Sequence, residues 1–405
     1  MTSPADPAPR PRPLGAGFAL VATALIAINL RPVASSVGPV LEEVTEGLGM
    51  NTAVAGFVTA LPGLCFGLIG ALAVAFARKV GMTTGIVLGL VAVGVGLLAR
   101  AAIDNTVLFL LLTALALGGA AVGNVLVPAW IKRQPRDVRL MTIYSAGLTL
   151  GGAVAAALVA PISANTAQGW RAALGVWGLV ALVAVLPWAL IASRERRTPG
   201  GRGSPAATKA AGRIWHSPTA IALTVVFGIQ SMNAYIQFGW LPQIYRDAGL
   251  SAGYAGILMS LLTALTLIGA LMMPTVIARS PSLKGWMYAF GALLVIGNGG
   301  LLLAPATVPW LWAVILGTSG FAFPTAIALI TARTRDPHVT ARLSGFVQPT
   351  GYMLAAIGPF VVGVLYQATG TWTIVLILLM LSGVVLTLAG LRVSRHTWVD
   401  DELAA

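Results

Sequence analysis

The sequence predicts an all-α membrane protein of twelve transmembrane helices in two pseudo-symmetric six-helix halves, and three observations carry that expectation. Of the 405 residues, 57% are hydrophobic and 9% charged, far from the roughly 25% charged of an average soluble domain. Apolar stretches of about 20 residues, the length of a helix that crosses a hydrocarbon core of about 30 Å, recur between short polar breaks. The two halves of the chain also echo each other at an offset near 200 residues. A β-barrel does not fit, because its strands would alternate polar and apolar residues.

Residues 1–13 are Pro-rich, carry Arg10 and Arg12, show no compact signal-peptide cleavage pattern and read as a short disordered tail. The first half, 14–192, holds spans near 14–45, 51–77, 82–102, 106–131, 139–162 and 171–192. Cys65, the one cysteine, lies in an apolar run, can form no intrachain disulfide and reads as core packing. Gly118, Gly119 and Gly123 in the fourth span and Gly147, Gly151 and Gly152 in the fifth permit close helix contact. Residues 193–216, rich in Arg, Gly and Pro, form the longest polar break and read as a flexible linker. The second half, 217–393, holds spans near 217–245, 251–278, 284–304, 308–332, 341–366 and 372–393, and 394–405 reads as a tail.

The net charge of +13 is spread over loops and not gathered on one water-exposed domain, so it points to topology and not to nucleic acid. With the twelve spans threaded in order, twenty-one Lys and Arg residues fall on the side of the termini, and only Arg100, Arg171 and Arg246 on the other. This asymmetry puts both termini in the cytoplasm of a multi-pass protein of the inner, cytoplasmic membrane.

The internal echo is specific in order as well as in spacing. Gly70-Ala71-Leu72 is matched by Gly269-Ala270-Leu271, Ala77-Arg78 by Ala278-Arg279, Gly49 with Ala55-Gly56 by Gly249 with Ala255-Gly256, and Arg136-Asp137 by Arg335-Asp336. Two six-helix halves joined by such a linker resemble the major facilitator superfamily of secondary transporters. The loop Gly70-Ala71-Leu72-Ala73-Val74-Ala75-Phe76-Ala77-Arg78-Lys79-Val80-Gly81 is similar to that superfamily's signature loop in its first glycine, basic pair and last glycine, and lacks the usual aspartate. More narrowly, Asn29-Leu30-Arg31-Pro32, Leu61-Pro62-Gly63-Leu64-Cys65-Phe66-Gly67, Asn124-Val125-Leu126-Val127-Pro128, Gly228-Ile229-Gln230-Ser231, Trp240-Leu241-Pro242 and Gln348-Pro349-Thr350-Gly351-Tyr352 resemble the cyanate permease and 2-nitroimidazole transporter family. The resemblance implies alternating access and a small planar or linear solute, a cyanate-like anion or a nitroimidazole-like compound; a drug or toxic-compound exporter is the alternative.

Arg31 is the strongest lead to a site. A guanidinium in hydrocarbon costs about 3 kcal/mol on insertion scales, so it must face protein or water. Ser35, Gly38 and Glu42 follow it at helical spacing, and Pro32 and Pro39 loosen the backbone beside it. It is either a structural cation held by carbonyls or an anion anchor, for which its planar fork is suited. In the seventh helix Gln230, Asn233, Gln237 and Trp240 form one stripe at spacings of three, four and three, with Tyr235 on the opposite side. That stripe lines a pocket or glues helices together. Asn29, Asn124, Tyr144, Gln348 and Tyr352 complete the candidate substrate set, while Phe321 and Phe323 read as packing.

No acidic residue and no histidine falls at the centre of a span, which disfavours a conventional multidrug/proton antiporter. Glu42 and Glu43, near the far end of the first helix, are the proton-coupling candidates, and a solvated helix end is their alternative role. Clustered acids, histidines or metal ligands inside the membrane are lacking from the pattern, so neither an enzyme nor a metal or cofactor site is expected. The expected partners are a small-molecule substrate, a co-transported proton and the lipid bilayer, with the chain a monomer.

Overall fold

The computed structural model describes residues 16–131, 133–134, 138–196 and 214–404. Among the described residues there are helices and no strand, and twelve helices are long and apolar enough to cross a membrane. They are α1 Gly17–Ser35, α2 Thr52–Val80, α3 Met82–Ala101, α4 Thr106–Ile131, α5 Arg139–Asn165 and α6 Trp170–Glu195. The second six are α7 Pro218–Asp247, α8 Ala252–Arg279, α9 Lys284–Leu303, α10 Pro309–Ala332, α11 Arg342–Thr369 and α12 Thr373–Val393. The expected tail 1–13, residues 197–213 of the expected linker and the Arg136-Asp137 pair lie outside the described residues.

These stretches are helical because hydrocarbon offers no partner for a bare amide, and a helix satisfies its backbone internally. Short polar residues start them: Asn51 accepts from the Val54 amide at 2.9 Å ahead of α2, and Ser217 from the Ala220 amide at 3.0 Å ahead of α7. Gly81, at φ +93°, stops α2 in a conformation that a side chain would resist.

Eleven of the helices end within three residues of the expected bounds, and α1 does not. The expected span 14–45 is helical through Leu30, breaks at Arg31, turns again over Pro32–Ser35 and Gly38–Val40, and resumes as the short helix Leu41–Gly47. Pro32 and Pro39 supply no amide proton and clash with the preceding turn, so a straight helix cannot pass through them.

An even number of crossings brings both ends of each half to one face, here the terminal face; the opposite one is the far face. The halves meet along two seams. In α2 and α11, Gly56 lies against Gly363 and Pro359, Gly63 against Ala356, and Gly67 against Met353 and Pro349, so close that a methyl group at Gly56 would stand 3.0 Å from the Gly363 Cα. In α5 and α8, Gly256 packs on the Ala156 carbonyl. Gly38 abuts the Phe238 carbonyl of α7. All of these contacts lie toward the far face or the middle. Nearer the terminal face, Gly345 of α11 has open space beside it and Gly70 of α2 meets only Val125 of its own half. The close glycine contacts between the halves gather at the far face and the middle of the bundle.

Two features depart from the expected charge map and tail. Arg100, assigned to the far side, sits there in the last turn of α3 but is fully buried, so Arg31 is not the only cation within the bundle. The tail folds back as the helix Val399–Ala404. Its Glu402 accepts from the Thr219 amide at 3.0 Å and hydroxyl at 2.8 Å, bonds Ser217, and pairs with Arg392 at 2.6 Å. Asp400 accepts from the Arg335 and Asp336 amides, both at 3.0 Å.

Candidate functional site

Arg31 lies at the break in α1, where the loosened backbone opens room around a long side chain. The guanidinium is half-buried, and among the described residues it forms no ion pair and no side-chain hydrogen bond. Its stem passes Gly152 of α5, where an added methyl group would lie 3.3 Å from the Arg31 Cβ and 3.4 Å from the Thr263 Cγ2 of α8. The charge acts on three tyrosine hydroxyls, those of Tyr144 on α5, Tyr235 on α7 and Tyr352 on α11. Both halves therefore contribute to one cationic, hydroxyl-bearing centre.

Aromatic rings wall it. Tyr352 is tilted on Phe66 of α2 at 5.8 Å and on Tyr235 at 6.3 Å, and edge-on to Phe227 at 5.0 Å. Phe227 in turn meets Phe323 of α10 at 5.3 Å. Tyr144 donates to Asn124 Oδ1 at 3.2 Å, which brings α4 into the set. Gln348, one turn from Tyr352 toward the terminal face, donates to Ser344 Oγ at 2.8 Å. Such a collar suits a flat solute, whose faces meet rings while its negative end meets the guanidinium.

The other sequence candidates lie elsewhere, for a common geometric reason. Asn29 is buried and donates to the Leu25 carbonyl at 2.7 Å and the Val180 carbonyl of α6 at 3.4 Å. Asn233 repeats this in the second half, donating to the Ile229 carbonyl and to Ser382 Oγ of α12, both at 2.9 Å. A short amide in hydrocarbon needs acceptors and finds them in its own preceding turn and the neighbouring helix. Two residues further on is about 200° round a helix. Asn29 and Asn233 therefore turn outward while Arg31 and Tyr235 turn to the centre. Gln230 and Gln237 share the Asn233 side of α7 and are buried, Gln230 with its Oε1 unpartnered.

Trp240, the last residue of the expected stripe, is part of the far-face closure. Its indole N–H donates to the Pro359 carbonyl at 3.1 Å, and its ring packs on Trp372 and Tyr366. Glu42 and Glu43 are there too, gripped by Arg246 of α7 at 2.7 and 2.9 Å. Next to them Asp247 accepts from Gln243, Tyr366 and Trp372 at 2.8, 2.7 and 2.7 Å. This lid joins the two halves by charge.

The stripe pattern sets Tyr235 apart from the other polar residues of α7, and the structure packs its ring on Tyr352; the repeat pairs Asn29-x-Arg31 with Asn233-x-Tyr235.

The described architecture agrees with known proteins. The profile of the Major Facilitator Superfamily matches residues 18–359. The chain is 31% identical over 358 residues to the cyanate transport protein CynX of Escherichia coli (strain K12), spanning 87% of this chain and 91% of that one. It is 32% identical over 385 residues to the 2-nitroimidazole transporter of the same strain, spanning 92% and 94%. Among solved structures, a bacterial homolog of the human lysosomal transporter Spinster, in an inward-facing and occupied conformation, superposes with a TM-score of 0.74 at 17% identity, over 96% of this chain and 93% of that one. A profile match over most of the length, and relatives above 30% identity along nearly the whole chain, mean that this protein belongs to the major facilitator superfamily and is a membrane transporter.

Proposed function

We propose that this chain is a secondary transporter that imports a small planar or linear solute, an anion or a strongly dipolar neutral compound, by alternating access. The observation that carries the reading is the half-buried, unpaired Arg31 with three tyrosine hydroxyls in reach of its charge. An uncompensated guanidinium is costly in a low-dielectric bundle and is stabilised when an anion or a nitro group arrives. The names of the two relatives fit this chemistry, since cyanate is a linear anion and 2-nitroimidazole a flat ring with a negative-ended nitro group. In this proposal Arg31 anchors the solute, Tyr144, Tyr235 and Tyr352 donate to it, and Asn124 and Gln348 hold the surrounding hydroxyls in place.

The charge asymmetry supports placing the terminal face in the cytoplasm of the inner membrane, so the tight contacts and the Arg246 ion pairs of the far face close the outer side. A monovalent anion entering an inside-negative cell climbs about 2.3 kcal/mol per 100 mV. A proton travelling with it removes that cost. Glu42 and Glu43 are suited to carry it, because a proton on either carboxyl weakens the grip of Arg246 and frees the lid. One chain holds the complete site, which supports a monomer as the working unit.

Proteoliposomes given labelled cyanate or 2-nitroimidazole test the reading. Uptake by wild type and its loss, at least about ten-fold in kcat/KM, in Arg31→Lys is the expected result, because a point charge does not reproduce the planar fork. Uptake at the wild-type rate by both Arg31→Lys and Arg31→Gln would remove the anchor.

A further inference from the structure

The side of α2 turned away from the other half carries a groove. It holds about 330 Å³, lies between α2, α3 and α4, and is lined by Ile69, Leu72 and Phe76 of α2, Leu88 and Ala92 of α3 and Leu115 of α4. Gly89 and Gly119 bring the backbones of α3 and α4 together at its floor, where a methyl group on Gly89 would stand 2.9 Å from the Gly119 carbonyl. Leu72, Leu88 and Leu115 are exposed and form its rim. Gly56, Gly63 and Gly67, which meet α11, lie about half a turn round α2 from this lining. The groove therefore faces hydrocarbon, away from the seam and from the Arg31 centre.

The register of α2 places a charge over one end of it. Ile69, Leu72, Phe76 and Lys79 follow one another at three, four and three residues along one stripe, whereas Arg78 falls on the side of the seam glycines. From Ile69 to Lys79 the helix rises about 15 Å, half of a hydrocarbon core of about 30 Å. The groove thus runs from mid-membrane toward the terminal face and ends beneath Lys79. That side chain is exposed and, among the described residues, enters no ion pair. No acidic residue occurs between Glu46 and Asp104. Glu195, which reaches the start of α3, accepts from Thr83 and from Trp130 Nε1, the latter at 3.1 Å.

We propose that this groove is a lipid site, which seats one acyl chain of an anionic glycerophospholipid whose phosphate pairs with the Lys79 ammonium. An apolar trough one leaflet long, with a bare cation at its surface end, matches that molecule in both parts. Lipid tails are as apolar as leucine, so the trough selects by shape and not by a hydrophobic gain. Preference between lipids then comes from the headgroup, where one basic residue near the surface is worth about five-fold in affinity for an anionic lipid. A second copy of the chain seated on this face by two-fold symmetry would bring two such lysines to the same side of the contact, like charge toward like. The site is separate from the solute path and holds whatever the solute is.

The test titrates purified full-length protein in a non-ionic detergent with phosphatidylglycerol and with phosphatidylcholine of the same acyl chains. Native mass spectrometry counts bound lipid, and the thermal unfolding midpoint follows its effect. Four proteins are compared: wild type, Lys79→Gln, Arg78→Gln and Ala92→Leu. Wild type should bind phosphatidylglycerol about five-fold more tightly than phosphatidylcholine. Lys79→Gln, an exposed change, should unfold at the wild-type temperature without lipid and lose that preference, while Arg78→Gln, on the other side of α2, keeps it. Ala92→Leu fills part of the trough and should weaken binding of both lipids. A wild type without preference, a preference that survives Lys79→Gln, or an equal loss in Arg78→Gln overturns the site. A complex of two chains in place of bound lipid, lost in Ala92→Leu, overturns it as well and gives the groove to a dimer.

Discussion

At the scale of single residues, the centre is defined by which way a side chain turns at the break in α1 and at its counterpart in α7. Tyr235→Phe removes one hydroxyl and keeps the ring against Tyr352. Its expected effect is a rise in KM for the transported solute of about three- to ten-fold, with unchanged unfolding temperature in the absence of solute. A transport assay beside a melting curve checks both. The sequence made Arg31 legible, because one charge in a long apolar run is rare enough to need explaining. It also put Asn29 and Asn233 in the same site, because polarity alone does not distinguish an amide that glues two helices from one that meets a guest. Only the direction of the preceding turn does, and that became clear once both asparagines were seen donating to the last helix of their own half. The burial of Arg100 was illegible for a related reason: at the end of a span, a solvated arginine and a covered one look alike.

At the scale of elements, the far lid is built from the turn after α1 and the last turns of α7 and α11, and its strongest tie is Arg246 against Glu42 and Glu43. All three side chains are partly exposed, so the tie adjusts a balance between states more than it stabilises the fold. Glu43→Gln, which mimics the protonated acid, and Arg246→Ala are expected to favour the state open on the far face. With Cys65 replaced by Ala, alkylation of a cysteine introduced by Val37→Cys, buried beneath the lid, should speed up several-fold in either variant. An unchanged rate would show that the glycine contacts alone hold the far face shut. The bounds of these helices were readable from hydropathy because hydrocarbon thickness dictates them. The interruption of α1 is less legible: Pro32 and Pro39 read as loosening the first span, and the helix breaks at Arg31 beside them, whereas Pro62 and Pro128 sit inside continuous helices.

At the scale of the whole molecule, one packed cluster joins most of the second half to first-half residues such as Val37, Val44, Phe109 and Trp170, and another gathers most of the first half; the second half is also fastened by its own C-terminal helix. Burial raises the Glu402 carboxyl, but the hydroxyls of Ser217 and Thr219, the Thr219 amide and the charge of Arg392 outweigh it, and the group sits below its ordinary range. Asp400 is likewise raised by burial and drawn down further by the Asp336 and Arg335 amides. A carboxyl depressed in the folded state contributes stability in full above its unfolded value, near pH 4, and loses it as pH falls through the lower folded value. Glu402→Gln should therefore lower the unfolding temperature at pH 7, on the scale of about 1–3 kcal/mol for hydrogen bonds to a charged group. That deficit should shrink as pH falls through the lowered folded value, where the wild type becomes protonated as well; melting curves at pH 7 and at successively more acid pH decide it. The six-plus-six plan was legible because repeated Gly-Ala and Arg-Asp pairs keep their order across the offset. The fold-back of the tail was not, since its value depends on partners in α7, α10 and α12 that only the assembled bundle brings together.

The location of Arg31 beside Gly152 in the seam between α1, α5 and α8 has an electrical corollary. If the proposed alternating access turns about this seam, the cation sweeps through little of the voltage drop, so Arg31 itself contributes almost no displacement current. An electrode on a supported membrane would then read chiefly what crosses: nothing sustained when a monovalent anion travels with a proton, and one positive charge per turnover when a neutral passenger travels with one.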